Sequence, residues 1–381
     1  MKIAINASVL SGRITGVGVY VLQLLRALAE LPASEGHEFV VLGVPEETSV
    51  PSAEHFEVVV ERGLAGPRRV TWEQLELPRL CRSHNVDVLH CPDFARPVVS
   101  SVPVVNMIHD LSFYAAENFF PFSKRIYKRT LCRLAVAKSA GLIANSQFTK
   151  QEIVSRFGGQ GRDVTVALLG GPTADGSQRR NPDVPFLLFI GTLEKRKNVA
   201  ALVDAYQAVR KQRLPHRLVL VGDPGYGWEA IAEAISRNPF KSDIEVRGYV
   251  EPAELDALYR SAALFVFPSL HEGFGLPILE AMARGCPVLC SRSGAIPEVG
   301  GDAVEYSSIE TPEALGANIA RLLSSETRLS ELAELGKKQL SKFSWRKCGE
   351  LHLQAFQLAV GAQRIAVMRR ESLPEQASLK Q

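Results

Sequence analysis

The chain alternates between short apolar segments and amphipathic segments over most of its length. The apolar segments of the first half are nearly continuous in hydrophobic residues and lie at 2–8, 38–44, 86–90, 102–108 and 141–145. Helical patterns intervene at 17–30, 72–84, 123–139 and 147–157. Strands that are covered by helices on both faces are apolar throughout, so this pattern predicts a parallel sheet in an α/β domain.

The same alternation starts again in the second half. Its apolar segments lie at 186–191, 217–222, 244–248, 263–269 and 286–291. The residues between the two series, 168–185, are rich in Gly, Pro, Asp and Ser, which is typical of a linker. We therefore predict an α/β protein of two Rossmann-like domains, 1–170 and 185–345, with parallel sheets facing across a cleft and a linker over 171–184. Residues 367–381 are polar and without periodicity, which predicts a tail.

Length and composition narrow the class of protein. A chain of 381 residues is too long for one ordinary core, and its 46% hydrophobic and 22% charged content is that of globular proteins. The net charge of +3 does not favour nucleic acid as a partner. No apolar stretch reaches the roughly 18 residues of a membrane span, and the amino terminus lacks a signal-peptide pattern. We therefore expect a cytoplasmic protein.

Neither a metal nor a nicotinamide cofactor is expected. The six cysteines are scattered, and Cys286 and Cys290 stand four apart, which is not a usual zinc spacing, so buried free thiols are the favoured interpretation. No Asp-x-Asp motif is present. The loop after the first strand contains Gly16-x-Gly18, but Val21 stands where the dinucleotide fingerprint has its third glycine.

The stretch HEGFGLPILE, residues 271–280, follows a predicted strand of the second domain. Ligands of open parallel sheets bind beyond the carboxyl ends of the strands, so this stretch should face the cleft between the domains. Pro277 suits the first turn of a helix, and Gly285 can end that helix in a left-handed conformation. Gly273 and Gly275 would let a phosphate approach the N–H groups of the helix amino terminus.

Two interpretations of the carboxylates in this stretch stay open. In one, Glu272 and Glu280 accept hydrogen bonds from the hydroxyl groups of a nucleotide sugar, one from the sugar and one from the ribose. In the other, Glu272 is merely solvated and Glu280 complements the helix dipole.

Further polar residues are predicted at the same cleft. Lys195, Arg196 and Lys197 directly follow a strand and could neutralise a diphosphate, although a run of charges is also typical of a solvated surface. His109 and Asp110 follow a strand of the first domain. A lone histidine is more often structural, but the topology directs this one into the cleft.

Together these segments resemble the retaining glycosyltransferases of family four, which have the two-domain GT-B fold. The resemblance covers roughly residues 1–365, and its most specific part is the Glu-x7-Glu stretch HEGFGLPILE. Matches are also found in GTLEKRKN (191–198), RGYVEPAELDALYRSAALFVFPS (247–269) and FSWRKC (343–348).

The resemblance implies roles for particular residues. Glu272 would contact the donor sugar, His109 would lie near that sugar, and Lys197 and Arg196 would hold the diphosphate. Glu280 would bind the ribose. The remaining donor-binding residues implied are Gly16, Gly222, Tyr249, Val250, Gly273, Phe274, Gly275 and Leu276. Of these, Gly222, Tyr249 and Val250 fall in loops that would frame the base. The last helix, at 346–366, would cross back to the first domain.

Two segments depart from the family pattern. Thr192 follows Gly191 where many relatives have an arginine, so one cation of the diphosphate clamp is missing or is supplied by Arg196. The interdomain stretch LLGGPT (168–173) also differs from that of many relatives, which leaves the linker contacts undetermined.

The resemblance implies transfer of a hexose from a nucleotide diphosphate to a saccharide or polyprenyl-linked acceptor, with retained configuration and no essential metal. The motif variants look most like those of bacterial mannosyltransferases of surface-polysaccharide synthesis, which favours GDP-mannose as the donor. A UDP-hexose or UDP-N-acetylhexosamine donor stays open. A sugar-nucleotide epimerase and a non-catalytic sugar-nucleotide-binding protein are more remote alternatives.

The segment 119–141 is rich in lysine and arginine and contains no acid. Spacings of four would put Arg125, Arg129 and Arg133 on one helical face. The segment is either a solvated helix or a patch that docks on anionic lipid. In the second case the protein would be peripheral on the inner face of the plasma membrane.

Overall fold

The chain folds into alternating strands and helices. The computed structural model describes residues 1–14, 16–158, 164–173, 179 and 182–371, with side chains up to 365. The elements of the first half are β1 (Lys2–Asn6), α1 (Gly16–Glu30), β2 (Glu38–Val44), β3 (Phe56–Val60), α2 (Gly66–Ser83), β4 (Val88–Cys91), β5 (Val104–Ile108), α3 (Phe122–Lys138), β6 (Gly141–Ala144), α4 (Gln147–Phe157) and β7 (Val164–Val166).

The second half continues the same alternation. Its elements are β8 (Phe186–Ile190), α5 (Val199–Lys211), β9 (Arg217–Val221), α6 (Trp228–Arg237), β10 (Ile244–Arg247), α7 (Pro252–Ser261), β11 (Leu264–Phe267), α8 (Leu276–Ala283), β12 (Val288–Cys290), α9 (Ile296–Gly300), β13 (Glu305–Tyr306), α10 (Pro312–Leu323), α11 (Glu326–Leu340) and α12 (Trp345–Glu371).

Two parallel sheets organise these elements. The strand order is β3-β2-β1-β4-β5-β6-β7 in the first sheet and β10-β9-β8-β11-β12-β13 in the second. The central strands are buried on both faces, which is why their sequences are apolar throughout. The predicted fold class, two Rossmann-like α/β domains of the GT-B type, is confirmed. In each sheet the strand order reverses beside the first strand, β1 or β8, and such a reversal leaves a crevice at the carboxyl ends of the strands.

The hydrophobic pattern did not predict three short strands, β3, β7 and β13. All three lie at sheet edges. An edge strand has a neighbour on one side only, so less of its sequence must be apolar. In β3 the side chains of Val58 and Val60 are exposed. Short length hid the other two, since β7 has three residues and β13 has two.

The last helix, α12, packs on the first domain, against α1 and strands β4 to β7. Gly349 allows the close approach, because a Cβ there would lie 2.9 Å from Leu31. The helix ends at Glu371, whereas the predicted end was residue 366. No proline interrupts the helix, and the next proline in the chain is Pro374. Residues 372–381 of the predicted tail, and 174–178 and 180–181 of the predicted linker, lie outside the described residues.

Three fully buried polar side chains join α12 to the first domain. The Tyr20 hydroxyl lies 2.8 Å from His90 Nε2 and 2.7 Å from His352 Nε2. The Nδ1 atoms of the two histidines donate to the carbonyl oxygens of Val105 and Cys348. Burial, reinforced by the mutual repulsion of the imidazolium forms, lowers the pKa of His90 well below its usual value. Burial lowers the pKa of His352 to about 4.

All six cysteines are buried and unpaired, as predicted. None of the described helices combines the length and apolar character that crossing a bilayer requires.

The neutral state of His352 predicts a loss of stability on acidification. The unfolded chain takes up a proton at this histidine below about pH 6.5, whereas the folded protein does so only near pH 4. The contribution of His352 is therefore present above pH 6.5 and is lost as the pH falls toward 4, by about 3 kcal/mol in all. Urea unfolding at several pH values measures this loss. The His352→Gln variant keeps a hydrogen-bonding group near Tyr20 and should lose less of its free energy of unfolding over the same pH range. An equal loss in the variant and the wild type would contradict the prediction.

Candidate active site

The stretch that follows β11 has the local structure that its glycines and prolines predict. Gly275 caps α8 with a φ of 114°, and Pro277 lies in the first turn, where its missing N–H costs little. Gly285 follows the helix with a φ of 65°. The positive φ values explain the choice of glycine at both ends. The stretch therefore presents a loop and a helix amino terminus at the carboxyl end of β11.

Glu272, in this loop, is held between two cations. Its Oε1 lies 2.6 Å from Lys197 Nζ, and its Oε2 accepts a hydrogen bond of 3.1 Å from Arg196 Nη1. Arg196 also donates to Glu194, at 2.7 Å. The interpretation as merely solvated is therefore wrong for Glu272, Arg196 and Lys197, whereas Lys195 is exposed.

The contact of Glu272 with the two cations is buried. Only 6% of Glu272 and 8% of Lys197 is exposed. Burial raises the pKa of Glu272, but the two cations outweigh it and the net pKa is lowered. Burial lowers the pKa of Lys197, and Glu272 offsets only part of that effect. Removal of one partner would leave an unpaired buried charge, so these residues support the fold as well as the site.

The local backbone structure positions Arg196 and Lys197 beside Glu272. After β8 the chain forms a short 3-10 turn over Lys195–Lys197, which ends at Asn198 with a left-handed φ of 58°. The Arg196 carbonyl accepts a hydrogen bond of 2.8 Å from the Leu270 N–H, which ties the turn to the loop of Glu272. Lys197 Nζ also lies 4.9 Å from the centre of the Phe267 ring.

Burial lowers the pKa of Arg196, but its acidic neighbours outweigh burial and the net pKa is raised. These neighbours are Glu272, Asp110 and Glu194. Burial likewise opposes ionisation of Asp110, but Arg196 and the hydrogen bonds from Ser112 lower its pKa to about 2. An arginine is therefore present beside Lys197 although Thr192 lacks a charge. Its role in a diphosphate clamp stays a prediction.

His109 lies at the carboxyl end of β5 and touches the same loop. Its Nε2 lies 2.8 Å from the Pro92 carbonyl oxygen, which can only accept, so Nε2 carries the proton. Burial lowers the pKa of His109, which favours the neutral ring. A neutral ring protonated on Nε2 has a lone pair on Nδ1, and this atom can accept a hydrogen bond from a sugar hydroxyl.

The two domains meet at Gly273. A Cβ at this position would lie 1.8 Å from the His109 carbonyl oxygen, so only glycine fits. The Gly273 carbonyl accepts hydrogen bonds from Ser146 Oγ at 2.8 Å and from Thr149 Oγ1 at 3.3 Å. Glu298 of the second domain accepts from the Gln147 N–H at 2.9 Å. The sequence interpretation assigned Gly273 to a phosphate and missed these contacts, because partners in different domains leave no local signal.

Glu280 lies on the first turns of α8. Its Oε2 accepts a hydrogen bond of 2.8 Å from the Tyr259 hydroxyl, and burial raises its pKa. Glu280 thus has a tyrosine partner that the sequence reasoning did not identify. Binding of ribose by Glu280 stays a prediction.

The residues predicted to frame the base converge at the ends of β9 and β10. The Gly222 N–H donates to the carbonyl oxygens of Arg247 at 2.9 Å and Gly248 at 3.1 Å. A Cβ on Gly222 would lie 2.1 Å from the Gly191 carbonyl oxygen, which explains the glycine. Tyr249, which follows Gly248, is exposed.

The other residues predicted to bind the sugar donor lie at several places in the fold. Phe274 is buried against Phe343, with ring centres 5.9 Å apart. Leu276 opens α8, and Val250 is partly buried against the core. Gly16 opens α1, and a Cβ there would meet nothing within 4 Å, so packing alone does not require a glycine. Among the described residues, no group of three or more His, Cys, Asp or Glu could hold a metal ion.

Comparison with solved structures agrees with the fold class. Sucrose-phosphate synthase from Thermosynechococcus elongatus superposes with a TM-score of 0.73 over 96% of this chain and 99% of its own, at 19% identity. At this level of identity the likeness shows the fold alone.

Comparison of sequences identifies the family. Residues 14–170 match the family described as Glycosyltransferase Family 4, and residues 172–339 match the one described as Glycosyl transferases group 1. The chain belongs to the family-four glycosyltransferases of the GT-B fold.

Two relatives from Escherichia coli are described as mannosyltransferases. O-antigen chain mannosyltransferase B is 28% identical over 94% of this chain and all of its own length. The serotype-specific mannosyltransferase WbdA is 34% identical over 45% of this chain but only 21% of its own length.

Lys197→Ala and Glu272→Gln should each lower kcat/KM about 10²- to 10³-fold, since each would alter the charge of the predicted diphosphate site. Steady-state kinetics with saturating acceptor measures the effect. Lys211→Ala removes an exposed lysine at the end of α5 and is the matched control, with activity close to wild type. Near-normal turnover of either site variant would remove the assigned role.

Proposed function

We propose that the protein is a retaining mannosyltransferase that uses GDP-mannose and acts on a saccharide or lipid-linked acceptor in surface-polysaccharide synthesis. The proposal is carried by the contact of Lys197 and Arg196 with Glu272 in the second domain, next to the point where Gly273 meets the first domain. It is supported by relatives that are described as mannosyltransferases. A donor with a UDP-linked hexose or N-acetylhexosamine is the second candidate.

In this proposal the diphosphate of the donor lies against Lys197 and Arg196 and the amino terminus of α8. Two fixed cations can stabilise the negative charge that develops as the sugar–phosphate bond breaks. They are already aligned by Glu272, so little reorganisation accompanies the reaction. Glu272 and the Nδ1 of His109 would accept hydrogen bonds from the sugar hydroxyls and orient the ring.

Retention of configuration would result from attack on the same face that the diphosphate leaves. A double displacement would need a carboxylate nucleophile beside the sugar. Of the other described carboxylates near Arg196, Glu194 is bound to the arginine and Asp110 accepts two hydrogen bonds from Ser112. These contacts favour a front-face reaction in which the leaving phosphate takes the proton of the acceptor hydroxyl.

Incubation with several nucleotide sugars and an acceptor oligosaccharide tests the proposal. GDP should be released from GDP-mannose faster than UDP from UDP-glucose or UDP-N-acetylglucosamine, and EDTA should not change the rate. Nuclear magnetic resonance of the product should show an α-mannoside, as in the donor. Faster release of UDP would make the donor wrong and leave the transferase intact. A β-linked product would exclude retention.

We also propose that α3 docks on an anionic membrane surface near a lipid-linked acceptor. Three large side chains on its first turns are exposed: Phe122, Ile126 and Tyr127. Lys124 is exposed beside them, and Arg133 is exposed further along the helix. Apolar side chains beside cations are typical of helices that lie at a membrane interface.

Arg125, Arg129 and Arg133 lie at spacings of four within α3, but the basic residues of this helix do not all face solvent. The Arg129 Nε donates to the Phe113 carbonyl oxygen at 2.8 Å. Lys128 Nζ lies 4.9 Å from the ring centres of Phe94 and Phe120. The surface offered to lipid is therefore smaller than the sequence predicted.

Sedimentation with liposomes at low salt tests the docking. The wild type should bind vesicles that contain phosphatidylglycerol and bind neutral vesicles more weakly, because part of the attraction is electrostatic. A Phe122→Ser/Ile126→Ser variant should lose most of this binding. Leu358→Ser, on the exposed side of α12, is the control. Equal binding to neutral and anionic vesicles would contradict the proposal.

A further inference from the structure

An exposed ion pair, Arg13 with Asp223, crosses the cleft at the predicted base pocket. Arg13 Nη1 donates to Asp223 Oδ2. The Arg13 guanidinium lies 5.6 Å from the centre of the Tyr249 ring. The two side chains are 64% and 45% exposed, and their residues are 210 positions apart in the chain.

This pair has little value for stability. Exposed ion pairs contribute little to the free energy of unfolding, since water solvates both charges well. Its position is nevertheless well defined by the backbone. Arg13 follows Gly12, which has a φ of 82°, in the loop between β1 and α1. The Asp223 carbonyl accepts a hydrogen bond of 2.9 Å from the Leu193 N–H, directly after β9.

The carboxylate of Asp223 faces the residues predicted to frame the base. Its Oδ1 lies 3.5 Å from the position that a Cβ on Gly248 would occupy. Gly248 joins β10 to Tyr249, and its carbonyl accepts from the N–H of Gly222. A base in this pocket would meet the Asp223 carboxylate on one side and the Arg13 guanidinium next to it.

An arginine and an aspartate side by side present two adjacent donors and then two adjacent acceptors. Guanine is complementary to this order, since N7 and O6 accept while N1–H and the 2-amino group donate. Arginine pairs with O6 and N7 of guanine in a bidentate manner, and a carboxylate accepts well from two N–H groups. Uracil and adenine do not match, because donors and acceptors alternate along their edges.

We propose that Arg13 and Asp223 together select a guanine nucleotide, with Asp223 on N1–H and the 2-amino group and Arg13 on O6 and N7. The exposed ring of Tyr249 would stack beside the base. The inference rests on the proposed function, in which the second domain binds a nucleotide sugar. It adds a residue of the first domain to the recognition of the base.

Isothermal titration calorimetry with GDP, IDP, UDP and ADP tests the inference. IDP lacks only the 2-amino group, so the wild type should bind it about tenfold more weakly than GDP. Asp223→Asn should weaken GDP binding about 10- to 100-fold and bring GDP and IDP closer together, since one acceptor becomes a donor. Arg13→Lys should weaken GDP about tenfold, because a lysine cannot form the fork.

A second exposed ion pair provides the control. Arg62 Nη2 lies 2.7 Å from Glu46 Oε1 on the surface of the first domain. Glu46→Gln should leave the affinity for GDP within twofold of wild type. Melting temperatures without ligand show whether each variant is folded.

Equal binding of GDP and IDP by the wild type would overturn the inference, and so would full GDP affinity in a folded Asp223→Asn variant. In either case the proposed function would remain. The IDP comparison needs no variant, so it decides even if Asp223→Asn fails to fold. Tighter binding of UDP or ADP than of GDP would instead refute the guanine donor itself, and the inference with it.

Discussion

The buried contact of Glu272 with Lys197 and Arg196 is the constraint on which the site depends. A carboxylate and two cations lose most of their hydration here, and the contact is tolerable only because the charges pair at 2.6 and 3.1 Å. The loop after β11 and the turn after β8 must therefore hold the carboxylate and the two cations at these distances. The same requirement makes the cations rigid, which suits groups that would stabilise charge on a leaving diphosphate.

The position of Glu272 also depends on the contact between domains. Gly273 lies against the His109 backbone, and its carbonyl is held by Ser146 and Thr149 of the first domain. The residue next to Glu272 is thus fixed from the opposite side of the cleft. Separation of the domains would release these contacts, so the loop is fully supported only when they are together. On the far side, α12 packs against α1 and the first sheet and joins the two domains a second time.

Family membership and donor identity rest on different levels of structure. The family is evident from matches over both domains, and the fold is shared with distant structures. The donor depends on a few side chains at loop ends, which differ between proteins of one fold. Arg13 and Asp223 are such side chains, and they come from different domains. This is why motif variants alone favour one donor without excluding another.

The sequence by itself determined the two parallel sheets and the local structure of the Glu-x7-Glu stretch, because these depend on hydrophobic periodicity and on the backbone preferences of glycine and proline. Three of the four edge strands were not predicted, since β7 and β13 are short and partial exposure weakens the apolar signal in β3. Only the tertiary structure decided that Glu272 is buried, that Lys128 packs over aromatic rings and that Asp223 meets Arg13. Burial and pairing of charges depend on residues that are distant in the chain, and no local pattern encodes them.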